Sequence, residues 1–439
     1  MTRNQFCWIV LVLALLAPAL GQDAAWAQSE PSAKEQEEAE VRDALQSIVK
    51  ADPNQAGAAQ AQKALDALDK PASSPEGRQA RNRRERGSRR IVNGLPSRSH
   101  PAVGALLKGA APESAGIQCT GTLVGCDKFL TAAHCISDDP TPGSYMVFFQ
   151  ELGVFPVKAI RWEKDKYKGP SPYLDLAMLT LTRPVEGIAP MPINTNGKPL
   201  NNSIATIVGF GRTGGTRFDY GIKREGTVKF AACPTSLAKV NALCWHFDAD
   251  VIAGASAQNT CNADSGGGVF IRDNDANDRV VEKLFGTVSG GNRDCVTNDT
   301  AYNVDVFEYR DWIAAAGEGA LSSSMCGRPL WGAQNAPVPK TVRFAEDKPE
   351  TTLDVQVPEG ARALRVAVNA EDDSRLNNPF TFSVSSGKDP AASEAACANP
   401  SALQFAFCEI KEPKAGPWTV AIKRRKGGGQ VQITTLVVR

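Results

Sequence analysis

Three side chains spread over 439 residues constrain this chain more than its composition does. The stretch Cys261-Asn262-Ala263-Asp264-Ser265-Gly266-Gly267-Gly268 presents a serine followed by three glycines. Upstream, Thr131-Ala132-Ala133-His134-Cys135 carries one of only three histidines in the sequence. A serine hydroxyl is a weak nucleophile at neutral pH and needs a base within hydrogen-bond reach. That base in turn needs a carboxylate to fix its tautomer and stabilise the imidazolium. Asp175, in Tyr173-Leu174-Asp175-Leu176-Ala177-Met178-Leu179, is an acid at the head of an apolar run and suits the third role. The fold must then bring positions 134, 175 and 265 into one cleft.

The order His, Asp, Ser and these local sequences resemble the chymotrypsin-like (trypsin family) serine proteases. Further matches follow in the family's order. Arg90-Ile91-Val92-Asn93-Gly94 is similar to its activation site, Val208-Gly209-Phe210-Gly211 to its Gly-aromatic-Gly turn, and Thr287-Val288-Ser289-Gly290-Gly291 to its cleft-lining strand. Asp311-Trp312-Ile313 is similar to its closing helix. The resemblance implies an all-β fold of two six-stranded antiparallel barrels with a cleft between them. It also implies that cleavage between Arg90 and Ile91 frees an ammonium that pairs with Asp264. The oxyanion donors would be the amides of Ser265 and Ala263. The family usually has glycine at the latter position, and alanine costs on the order of 1 kcal/mol if φ is positive there.

The same resemblance puts Asn259, Ser289, Gly291 and Thr300 in the specificity pocket. Asn259 stands where members that cut after Arg or Lys carry aspartate, and Thr300 would fill the depth. A shallow, neutral pocket for small or medium uncharged side chains is expected, because an unpaired buried guanidinium costs several kcal/mol. Gly290 replaces a usual aromatic. His100 reads as a surface residue after a turn, and His246 as packing near Cys244. Two other classes stay open: a catalytically weak binding protein on this scaffold, and an acyl hydrolase (esterase) using the same three groups. No metal or cofactor is invoked, since the segment between His134 and Asp175 has no acidic calcium-type loop.

Residues 8–20 form an apolar run behind Arg3, followed by Ala25-Trp26-Ala27. This reads as a secretory signal peptide covering 1–27, with an alternative cut after Gly21. The run is short for a membrane span, so no stable span is expected after its removal. Cys7 leaves with it. Ten cysteines then remain in a chain bound for an oxidising compartment, extracellular or periplasmic. The resemblance implies the pairs Cys119–Cys135, Cys233–Cys244 and Cys261–Cys295. Cys397 and Cys408 would close their own loop in the tail, while Cys126 and Cys326 are left over and could pair. The net charge of +1 gives no bulk attraction for nucleic acid or membranes.

Residues 28–90 read as a prosegment. Helical spacing over 41–49 and 60–68 is broken by Pro53, Pro71 and Pro75. It is either an inhibitory or chaperoning segment or a disordered leader. Its end, residues 78–90, carries seven arginines against one glutamate, an easy target for an activating trypsin-like protease. The protease-like domain should span 91–326, with one convincing helix over 305–316, and a Pro- and Gly-bearing linker 327–340 should follow. From 341 to 439 the pattern alternates with period two, as in Phe380-Thr381-Phe382-Ser383-Val384. About seven half-buried strands argue a β-sandwich there, weakly resembling domains appended to secreted bacterial peptidases. Binding, secretion, stability or a plain appendage are its candidate roles.

Overall fold

Alternating β-branched and aromatic residues, punctuated by glycine, give short strands nearly throughout. The computed structural model describes residues 91–439, apart from positions 93, 98, 170, 215–218, 248–257, 276, 293–294, 296–298, 332–336, 346, 372–377, 389–393 and 427. The expected signal peptide, the prosegment and Arg90 lie outside the described residues. After the two-residue β1 (Leu95–Pro96) come β2 (Val103–Lys108), β3 (Gly116–Leu123), β4 (Lys128–Thr131), β5 (Tyr145–Phe149), β6 (Gly153–Trp162) and β7 (Ala177–Leu181). The last six close into a barrel in the order β2-β3-β4-β7-β6-β5, leaving no edge to protect. Leu106, Phe129, Val147, Phe149, Phe155 and Leu179 fill it. Phe149 meets Phe129 and Phe155 edge-on at 5.9 and 5.6 Å, the favoured aromatic geometry.

The second half comprises β8 (Ile204–Gly209), β9 (Arg224–Lys229), the short helix α1 (Thr235–Ala238), β10 (Ala242–Phe247), β11 (Gly268–Asn274), β12 (Val280–Gly290) and β13 (Asp299–Asp305). Together with β1 these strands make a seven-stranded sheet in the order β1-β9-β8-β11-β12-β13-β10. It is a half-barrel rather than a second closed one. Among the described residues the β9–β10 seam carries an isolated bridge, Ala231↔Cys244, and the Cys233–Cys244 disulfide rather than a ladder. Ile91, Ile207, Val228, Trp245, Val269 and Val288 form its core. Between the halves, Leu107, Phe148, Met178, Val208, Phe210, Phe270 and Ile313 pack into a third cluster. Helix α2 is Arg310–Ala316, shorter than the expected 305–316. Asp305 Oδ1 accepts the Phe307 N–H at 3.1 Å and holds the preceding residues in a turn.

The tail builds β14 (Lys340–Arg343), β15 (Glu350–Val357), β16 (Ala363–Ala370), β17 (Phe380–Ser386), β18 (Ala395–Ala402), β19 (Phe405–Lys411), β20 (Gly416–Arg424) and β21 (Gln430–Val438). They form two four-stranded sheets, β14-β21-β16-β19 and β15-β20-β17-β18. Both contribute to one core, which includes Leu364, Val366, Phe380, Phe382, Val384, Val420 and Ile433. The alternation predicts one wet face per strand, but β16 and β21 are buried on both. Asn369 and Gln432 are fully buried and Thr434 is 2% exposed, because this face lies against the two preceding β units. Phe405 meets Phe148 at 4.8 Å, and the Phe407 ring fills the space where Gly153 lacks a Cβ. Buried amides need partners. Gln432 Oε1 accepts from Gln150 Nε2 at 2.9 Å and from Asn369 Nδ2 at 2.8 Å.

Candidate active site

His134 sits in a single 3-10 turn, Ala133–Cys135, directly after β4. Asp175 lies two residues before β7, which pairs with β4, so the strand register brings the two together. The His134 backbone N–H donates to Asp175 Oδ1 at 2.9 Å, and the ring Nδ1 meets Oδ2 at 2.8 Å. A carboxylate only accepts, so Nδ1 carries the hydrogen and Nε2 is left as the basic nitrogen. Asp175 Oδ2 takes a further hydrogen bond from Ser289 Oγ at 2.6 Å. The aspartate side chain is 1% exposed and the histidine 32%, so the carboxylate is buried while the imidazole reaches the solvent-facing cleft.

Ser265 lies in the turn that leads into β11. Its carbonyl accepts from Thr120 N–H at 2.9 Å, Thr120 Oγ1 donates to the Ala263 carbonyl at 2.8 Å, and Gly266 N–H donates to Val288 O at 2.7 Å. The turn is thereby tied to β3 and β12. Gly266 has φ 81°, and a Cβ there would collide with Thr131 Oγ1 and the Thr120 carbonyl, so only glycine suits the position. Ser265 and His134 line one cleft of about 420 Å³.

Asp264 is 1% exposed and turned inward. Its Oδ1 accepts from Gly211 N–H at 2.7 Å and its Oδ2 from Cys261 N–H at 2.9 Å. A Cβ at Gly209 or Gly211 would overlap the carboxylate, which explains the Gly-Phe-Gly turn on steric grounds. Burial pushes the Asp264 pKa up to about 7, although those amides and Arg224 pull it down. Ala263 adopts φ 72°, the left-handed conformation that penalises a Cβ. The Arg212 N–H donates to the Asn262 carbonyl at 3.1 Å.

Of the four expected pocket residues, Ser289 and Gly291 line the cleft, together with Thr260, Val288, Asn292 and Tyr302. Asn259 is 1% exposed, its Oδ1 accepting from Trp245 Nε1 at 2.8 Å. Thr300 stands opposite His246 in the β10–β13 pair, and His246 Nδ1 lies 2.9 Å from Thr300 Oγ1. The Tyr302 ring occupies the space beside Gly290. A carboxylate stands nearby, since Asp299 Oδ2 accepts Asn292 N–H at 2.8 Å and lies against Gly291.

The structure joins Cys119 to Cys135, Cys126 to Cys326, Cys233 to Cys244, Cys261 to Cys295 and Cys397 to Cys408. His100 is not a surface residue. Its side chain is 8% exposed, held between Glu225 at 3.5 Å and Glu282 at 3.0 Å, with the ring stacked 4.9 Å from Phe270. Sequence reasoning missed Arg224, fully buried behind Gly211 and joined to Glu371 of the tail. A Lys-Arg pair at a strand start reads as a solvated edge, so nothing in the sequence pointed inward.

A family model described as Trypsin matches residues 91–313, just over half of the chain. The platelet-aggregating proteinase PA-BJ of Bothrops jararaca is 26% identical over 231 residues, covering 48% of this chain and 89% of that protein. The alpha-fibrinogenase albofibrase of Trimeresurus albolabris is 28% identical over 224 residues, or 46% and 78%. The serine protease harobin of Hydrophis hardwickii is 28% identical over 225 residues, or 46% and 75%. All three come from snakes, so none of them supports the bacterial affinity read from the tail.

Proposed function

The chain belongs to the trypsin family, and we propose that it hydrolyses peptide bonds through Ser265, His134 and Asp175 once cleavage after Arg90 frees Ile91. Family and relatives make it a serine endopeptidase, and with its disulfides a secreted one. An extracellular or periplasmic destination is part of the proposal. One observation carries the reading: His134 Nδ1 lies 2.8 Å from buried Asp175, in the same cleft as Ser265. His134 Nε2 takes the Ser265 proton as Oγ bonds to the substrate carbonyl carbon. The amides of Ala263 and Ser265 hold the resulting oxyanion. The imidazolium then protonates the leaving amine, and water repeats the sequence on the acyl-enzyme.

The Ile91 ammonium is the natural partner of Asp264, a buried carboxylate that accepts from the Gly211 and Cys261 amides. The precursor is therefore a zymogen, activated by another trypsin-like protease acting on the arginine-rich stretch at 78–90. Asn259 offers no carboxylate, which supports a preference for small or medium uncharged side chains. Asp299 against Gly291 favours a second reading, in which that carboxylate receives a basic side chain. Peptide amides differing only in the residue before the scissile bond separate the two. Faster turnover after Ala or Val, abolished in Ser265→Ala, supports the neutral pocket. Preference for Arg, lost in Asp299→Asn, assigns specificity to Asp299. Hydrolysis persisting in Ser265→Ala refutes both.

A further inference from the structure

Glu371, the residue after β16, reaches into the protease half and meets Arg224 Nη2 at 3.4 Å. Its other oxygen accepts the Gln430 N–H at 2.9 Å, which pins the carboxylate within the tail. Arg224 is fully buried, and its Nη1 donates to the carbonyls of Gly211 at 3.2 Å, Asp219 at 3.0 Å and Ile222 at 3.2 Å. A guanidinium so enclosed needs a counter-charge, and the tail supplies one. The loop between β8 and β9 is clamped by the same sheet. Asn369 Nδ2 donates to Gly221 O at 2.8 Å, Gln404 Nε2 to Tyr220 O at 3.3 Å, and Lys223 N–H to Gln432 Oε1 at 3.1 Å.

From Arg224 the contacts run on to the nucleophile turn. Peptide units are planar, with C=O and N–H pointing in opposite directions. The Gly211–Arg212 unit accepts from Arg224 at its carbonyl, and its N–H donates to the Asn262 carbonyl at 3.1 Å. The Asn262–Ala263 unit, held by its carbonyl, must aim the Ala263 N–H the opposite way. That N–H is the oxyanion donor in the mechanism above. Ala263, at φ 72°, holds a conformation that persists only when its surroundings impose it. Hydrogen bonds in such a chain also polarise one another.

We propose that the C-terminal β domain is a working part of the catalytic unit, in which Glu371 and Arg224 are positioning residues that hold the Ala263 amide toward the oxyanion. This rests on the Ser265 mechanism and adds a role for the tail. Removing the tail would take away the carboxylate that meets Arg224 at 3.4 Å.

The test uses the full-length protein cleaved after Arg90. Glu371→Gln should lower kcat ten- to a hundredfold with KM within about threefold. It should weaken a peptide aldehyde, whose adduct carries the oxyanion, in parallel with kcat/KM, while affinity for the peptide product stays unchanged. The double variant Arg224→Met with Glu371→Met replaces the buried pair by apolar groups. It should recover the thermal midpoint without recovering kcat, which a merely structural strap would not do. Arg365→Gln, at an ion pair elsewhere in the same domain, should leave kcat unchanged. A folded Glu371→Gln protein with parental kcat, or a double variant regaining both midpoint and kcat, overturns the proposal. Ser265→Ala run alongside keeps the failures apart. Hydrolysis lost there but parental in Glu371→Gln sinks only the positioning role, whereas hydrolysis persisting in Ser265→Ala sinks the mechanism beneath it.

Discussion

Asp264 makes the uncleaved protein sensitive to rising pH, and its surroundings set the size of the effect. The carboxyl has an ordinary pKa of 3.8 and is pushed up to about 7 in the fold, chiefly by burial. A raised folded-state pKa means that the folded form holds its proton longer than the unfolded chain does. The stabilisation is fully present below about pH 4 and is lost as pH rises through about 7. A shift of about three units corresponds to about 4 kcal/mol. The assay is urea unfolding of uncleaved Ser265→Ala protein from pH 4 to pH 8, with and without Asp264→Asn. The amide substitution shifts all pH values alike through its altered hydrogen bonds, and the other titrating groups cancel in the difference. The stability difference should therefore change by about 4 kcal/mol across the range, with the aspartate form losing ground at high pH. Cleavage after Arg90 should remove most of that loss, because an ammonium beside Asp264 favours the ionised form. A difference that stays flat within about 1 kcal/mol would refute the reasoning.

Four further outcomes follow from the site. His134→Ala or Ser265→Ala should cut peptide hydrolysis by several orders of magnitude, since the groups act as a unit. Ser289→Ala removes a 2.6 Å donor to Asp175 and should cost about 1.5–3 kcal/mol in kcat/KM, a hydrogen bond to a charged group being worth that much. Ala263→Gly relieves the left-handed strain at φ 72° and should raise stability by up to about 1 kcal/mol in thermal melts, without loss of kcat. A trace of mature enzyme should cut the Ser265→Ala precursor at Arg90 slowly. Rapid, complete cutting by that trace would require a carboxylate in the pocket, with Asp299 the nearest to Gly291.

Local chain chemistry marks some stretches of the candidate site in the sequence. Ser265 and His134 sit in turns whose small neighbours are dictated by close backbone approach, as Gly266 against Thr120 shows, so their flanks are distinctive. The strands of the tail announced themselves because Phe380, Phe382 and Val384 line one face of β17. What stayed hidden depends on contacts between distant segments. Alternation in β16 and β21 says that one face is apolar, yet it is silent on whether Asn369 and Gln432 face water or another domain. The half-barrel is consistent with the expected two-barrel fold, but how far β9 and β10 pair along their length is not written in either strand. Spacing from Tyr302 gives the strand position of Thr300 but not its partner, His246. Arg224 and Glu371, 147 residues apart, carry no local mark of their meeting.

The central claim is that Ser265 is a nucleophile activated by His134 and Asp175 in the cleaved chain. Its most direct measurement is labelling by a serine-directed fluorophosphonate, with the modified residue located by peptide mass spectrometry. The account predicts one label per molecule on Ser265, appearing only after cleavage between Arg90 and Ile91 and lost in His134→Ala. Labelling of another serine, or equal labelling of the uncleaved chain, would contradict it.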